Sequence, residues 1–361
     1  PLIRGSAGYS AWVDTARPPP RALVAQLSWL DDVDTAQVAV AAGLWTAVLA
    51  ALFFFGTGVF RAAFAELDAR QRRLVAVAVG VAALARLLWP AKLVMVYKGY
   101  ELTAAAADFL SVPRYGAGSL VAHRAVFAWF APSHNALIAL HTLASVAAIA
   151  LLCAGLASLL RGWRRGGDAV VVAAFALALL PQLIHDARSE SIGNLGLFAV
   201  AVAWVFFARW LEPLARRRRA MDLAVATLAA TLAATIRPEL LVVAPALLAG
   251  HLFARWPAVT LGGGFAGASV APALLARALF AAALFAAALL ALALLVPHLL
   301  HMQRSTAEQI ATGGLPPFSV QLPLRAIAVV AGGSALFRPL IFPTLWLLLA
   351  VGIWVAPPVP R

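Results

Sequence analysis

TAQVAVAAGLWTAVLAALFFFGTGVF, residues 35–60, is the stretch whose reading decides the fold. It carries no ionisable side chain, and it is longer than the roughly 20 apolar residues a helix needs to cross bilayer hydrocarbon. Comparable runs recur at Leu74–Leu93, Ala136–Leu160 and Ala278–Val296. None alternates apolar and polar residues with period two, which argues against a membrane β-barrel. Composition agrees: 63% of residues are hydrophobic, 12% are charged, and mean hydropathy is +0.90. A soluble domain is nearer about half apolar and about a quarter charged. The expected fold is therefore all-α, a polytopic transmembrane helical bundle of about ten spans, in a range of roughly eight to twelve. The range reflects Met221–Ile236, which is short for a span, and Thr260–Pro272, which is glycine-rich and only moderately apolar.

Residues 1–34 read as a polar segment before the first span, with Pro18-Pro19-Pro20 and the acidic patch Asp31, Asp32 and Asp34. No charged start leads into an apolar core, so this is not a signal peptide. Starting at Pro1, the segment reads as truncated or processed, and a preceding domain or helix could be missing. Residues 35–361 form the transmembrane helical domain. The lone cysteine, Cys153, lies inside an apolar run, so an internal disulfide or a cysteine-based metal site is excluded. The formal net charge of +13 invites a nucleic-acid reading. That reading is rejected, because the basic residues sit in short clusters between apolar runs, as membrane flanks do. All 28 basic residues except Lys92 and Lys98 are arginine, a bias consistent with a GC-rich genome.

The arginines give the spans a direction. Arg61, Arg70, Arg72 and Arg73 follow the first run, and Arg161, Arg164 and Arg165 the third. Arg216, Arg217, Arg218 and Arg219 follow the fifth, and Arg255 the seventh. Loops rich in arginine face the cytoplasm. The opposite side then receives residues 94–133, 184–192, the turn around Arg237 and residues 297–323. In a bacterium the chain is expected in the inner membrane, with that side periplasmic. Arg4, Arg17 and Arg21 fall on the outer side as well, against the rule.

An ionisable residue at a membrane boundary is costly unless it has a partner or a task. Four outer stretches hold such groups. The first, residues 98–124, contains Tyr100, Glu101, Asp108, Arg114, Tyr115 and His123. Glu101 and Asp108 share one face of a helix. Either could serve as a general base or hold a metal, or both could lie in water on an amphipathic surface helix. The second, PQLIHDARSES, contains His185, Asp186, Arg188 and Glu190. Here His185 could pair with Arg188, or Asp186 with Glu190, along one face; the alternative is a solvated helix end. The third is Arg237-Pro238-Glu239, either a tight turn between spans or a guanidinium presented to phosphate. The fourth, PHLLHMQRSTAEQ, contains His298, His301 and Arg304. It reads as a phosphate-binding or interfacial group, or as polar capping of a span, with Glu308 the nearest carboxylate in sequence. No Walker loop, GxSxG or HExxH occurs, which argues against an ATPase domain, a serine hydrolase and a zinc protease within these residues.

In order along the chain, these pieces resemble the GT-C superfamily of membrane glycosyltransferases, which includes protein mannosyltransferases and aminoarabinose transferases. The likeness runs from Arg86, late in a span, to Gly99-Tyr100-Glu101-Leu102. It continues through Pro113-Arg114-Tyr115-Gly116, the stretch His123 to Phe130, and Ala131-Pro132-Ser133. It ends with Ser189-Glu190-Ser191 and Thr235-Ile236-Arg237-Pro238-Glu239. It spans residues 74–255, the GT-C-like core. The family's hallmark is an acidic pair in the first outer loop, where this chain has Glu101 and a separated Asp108. The run 35–60 has no counterpart in the usual scheme.

The resemblance implies a polyprenyl-phosphate-linked sugar donor and an acceptor of unstated identity. Glu101 would act as the base, or Asp108 in its place, and transfer would proceed with inversion. Arg237, with Arg304 or His301, would stabilise the departing phosphate, and Tyr115 and His123 would line the pocket. A divalent metal is optional in the superfamily, and the resemblance commits to no particular cofactor. The rival readings are a secondary transporter, which places charges at the bilayer midplane between related halves, and a non-catalytic membrane scaffold. Neither related halves nor midplane charges are evident.

Overall fold

The computed structural model describes residues 32–90, 116–130, 133–188, 193–211, 216–237, 240 and 270–311. Within the helices, the side chains of 32, 134, 216–219, 270–281 and 304–311 fall outside that description. Every regular element among the described residues is helical. In chain order these are α1 (Asp32–Ala63), α2 (Ala69–Leu88), α3 (Ala117–Phe130), α4 (His134–Leu159) and α5 (Gly166–Leu179). They continue with α6 (Pro181–Ala187), α7 (Gly193–Trp210), α8 (Arg216–Ile236) and α9 (Val270–Ala311).

Local signals set several boundaries. Asp68 caps α2 by accepting from the Gln71 N–H at 2.7 Å, while Gln71 reaches back to the Asp68 N–H at 3.1 Å, a capping box. Ser133 caps α4 by accepting from Ala136 N–H at 3.2 Å. After α4 the chain turns at Gly162, whose φ of +80° suits a residue without a Cβ. Pro181 opens α6 and has no N–H to extend the α5 ladder, so α5 and α6 meet at a 50° bend.

Four helical segments among the described residues are long and apolar enough to cross a membrane: Val33–Ala63, Asn135–Leu159, Gly193–Trp210 and Ala282–Gln303. The bent pair α5–α6 makes a fifth if it counts as one broken span. Ala220–Ile236 is apolar but shorter. Helix α2 has 20 residues, but Arg70, Arg72, Arg73 and Arg86 interrupt its apolar surface. Helix α9 runs 42 residues, through Pro297 to Ala311, where the sequence suggested a loop from residue 297. A proline removes one ladder bond of a helix, and α9 continues through this one.

Helix α7 is the centre of the bundle. Phe198, Val202, Val205, Phe206 and Phe207 are all buried, and α4 and α8 pack on either side. A helix apolar all round belongs in an interior. Trp45 of α1 stacks on Phe198, with ring centroids 6.2 Å apart. Trp204 sits 3.2 Å from where a Cβ on Gly155 would lie, so glycine lets α4 and α7 approach closely. The rim is the reverse. Phe53 is 81% exposed on α1, Leu143 70% on α4 and Phe285 67% on α9. Large apolar side chains facing outward from several helices suit a hydrocarbon surrounding.

Candidate functional site

Contacts sort the polar residues into two ends of the bundle. At one end Arg161 pairs with Glu66 at 3.2 Å and donates to Ala62 O at 2.8 Å, tying the end of α4 to the end of α1. There too Gln71 donates to Asp168 at 3.0 Å, and Arg209 of α7 meets the buried Asp222 of α8 at 3.5 Å. This is the end where α1, α4 and α7 finish and α2, α5 and α8 begin. It is rich in arginine, as the alternation of clusters along the sequence required.

The candidate site is at the other end. Gly116 enters α3 with φ of +99°, and a Cβ on it would lie 2.5 Å from the His298 ring. A Cβ on Gly118 would lie 2.7 Å from Thr235 Oγ1. The two glycines thus let the start of α3 press against the end of α8 and the flank of α9. Trp45 Nε1 donates to Gly118 O at 2.7 Å and fastens α1 to the same point. His298 is buried, and neither ring nitrogen has a hydrogen-bond partner. One turn on, His301 Nδ1 lies 2.8 Å from Asp34 Oδ1, and Gln37 Nε2 donates to the same oxygen at 2.9 Å. Arg237, half-buried, directly follows α8, and its N–H donates to Ala233 O at 2.9 Å. Asn194, at the start of α7, is buried with neither amide atom hydrogen-bonded. Buried polar groups without partners are costly, and His298 and Asn194 are two such groups at this end.

His123 of α3 and His141 of α4 are both fully buried, with Nε2 atoms 3.0 Å apart and rings perpendicular. One Nε2 must donate and the other accept. Burial, and next the neighbouring His141, hold the His123 imidazole well below the ordinary histidine range, so it is neutral at pH 7. His123 therefore faces the α3–α4 interface.

Helix α6 lies at this end as well. Asp186 accepts from Gln182 Nε2 at 2.9 Å, and His185 Nδ1 stands 3.6 Å from Asp186. Arg188 Nε donates to Trp89 O at 2.9 Å. The His185–Arg188 pairing, one of the two alternatives along this helix face, is not among these bonds.

Of the residues the sequence nominated, Arg237, just after α8, and His301, on α9, fall at the same end of the bundle. His185, Asp186 and Arg188 are at that end beside α2 and α4. Tyr100, Glu101, Asp108, Arg114, Tyr115, Glu190 and Glu239 lie outside the described residues. Arg304 lies on α9 with its side chain outside the description. Asp34, Gln37, His141 and Asn194 were not singled out as site residues. The arginine topology put Asp34 and His301 on one side, which was the available signal for that pair. Among the described residues, no three His, Cys, Asp or Glu side chains converge as metal ligands would.

Among the described residues, these features define an all-helical bundle with four or five membrane-type spans and a polar cluster at one end. Compared with protein families, curated proteins and solved structures, the chain matches none.

Proposed function

We propose that this chain is a membrane glycosyltransferase. It transfers a sugar from a polyprenyl-phosphate-linked donor to an acceptor on the periplasmic face of a bacterial inner membrane, within a GT-C-like bundle of about ten spans. The observation that supports this reading most is the gathering of Arg237, His298 and the His301–Asp34 pair at the end opposite the arginine clusters. The outward apolar faces of α1 and α9 suit a donor whose tail stays in lipid.

In this reading Glu101 takes the proton of the acceptor hydroxyl as its oxygen attacks the anomeric carbon, and the polyprenyl phosphate leaves with inversion. Arg237, with His301 or Arg304, stabilises the charge gathering on that phosphate, where fixed cations and donors act most strongly. The test is transfer from a polyprenyl-phosphate sugar by purified protein in nanodiscs. Glu101→Gln should abolish transfer while leaving membrane insertion intact. Full activity in both Glu101→Gln and Asp108→Asn would sink the assignment.

A further inference from the structure

Helix α2 and the α5–α6 break hold each other through exchanged arginines. Arg86, in the last turn of α2, is 0% exposed. Its Nε donates to Ser145 Oγ at 2.9 Å, and its Nη1 to Ala82 O at 2.9 Å and Ala178 O at 3.1 Å. No carboxylate is among these partners. Ala178 lies in the last turn of α5, just before the chain breaks at Leu180 and Pro181. The final carbonyls of a helix lack partners in their own ladder and carry the negative end of its dipole. A guanidinium placed there answers both needs.

The return contact comes from Arg188, the C-cap of α6, whose Nε donates to the carbonyl of Trp89, the C-cap of α2. Helix α2 thus gives an arginine to the end of α5 and receives one from the end of α6. Helix α4 closes the set, because Thr142, a turn before Ser145, donates Oγ1 to Ala187 O at 3.2 Å.

We propose that Arg86 and Arg188 form a positioning clasp. It sets α6, with His185 and Asp186, against the point where α2 ends and the chain runs on toward Glu101. The kinetic consequence rests on the transferase reading; the geometric one does not.

The test uses full-length protein in nanodiscs with Cys153→Ala, and spin labels on cysteines at 87 and 183. Pulsed EPR then reads the separation of α2 from α6. Arg86→Met and Arg188→Gln should each lengthen and broaden the distance distribution. Arg86→Lys keeps the charge without the planar fork and should restore part of it. In the transfer assay kcat should fall about tenfold or more with KM little changed, as misplacement of catalytic groups does. Unchanged distances in the folded variants would overturn the clasp. So would lost transfer with unchanged distances, which would make these arginines ligands instead. If Arg86→Met does not fold, Arg188→Gln carries the distance test alone. A wild type that transfers no sugar would refute the transferase reading and leave the distances to decide the clasp.

Discussion

Replacing Gly116 by alanine would put a methyl group 2.5 Å from the His298 ring, on a backbone with φ of +99°. The backbone term alone costs about 1–2 kcal/mol, and the contact adds to it. Gly116→Ala should therefore lower the melting temperature in detergent by at least a few degrees. Gly80→Ala is the control: it sits mid-helix with open space around its Cα and should be neutral or stabilising. Equal melting temperatures for the two variants would contradict the packing described here. At this scale the sequence was partly legible. Arg237 and His301 stood out as ionisable groups at span ends, and both are at the candidate site. Asp34 was read only as one of an acidic patch, because its partner His301 is 267 residues away and no local spacing joins them. His123 looked like a loop residue, yet it is buried against His141, since α3 packs its histidine inward where a single sequence shows only an apolar stretch with one imidazole.

Among the helices, the capped ends follow sequence closely. Asp68 and Gln71 have the spacing of a capping box and form one. Asp68→Ala should destabilise the protein by about 1 kcal/mol, measured as a lowered thermal midpoint, whereas Asp68→Asn should lose little. An unchanged midpoint in the alanine variant would mean that tertiary contacts hold the start of α2 without its cap. Breaks were harder to foresee. Pro181 interrupts a helix and Pro297 does not, although both follow apolar runs. At the α5–α6 bend Arg86 takes up the Ala178 carbonyl, whereas α9 carries on past Pro297 as one helix. Hydropathy reads both prolines alike, because it does not register where a buried guanidinium stands.

Taken whole, the chain has two chemically distinct ends, and the arginine clusters indicated which loops share an end before any contact was known. What they did not indicate was how the helices neighbour one another, which depends on small residues such as Gly155 and Gly118 rather than on charge. The topology makes a direct prediction. In the orientation proposed above, Asn135→Cys in a Cys153→Ala background should react with a membrane-impermeant maleimide from the outer side. Arg164→Cys should react only after the membrane is opened. Labelling of both from one side would refute the orientation. The central place of α7 has a further effect on how the protein comes apart. Its sheath is made by α4, which precedes it, and by α8, which follows it. Neither the front nor the back of the chain can shed its partner without stripping that core helix. Loss of structure should therefore spread through the bundle as one event, and cutting the polypeptide anywhere between α4 and α8 would leave two pieces that must find each other again before either is stable.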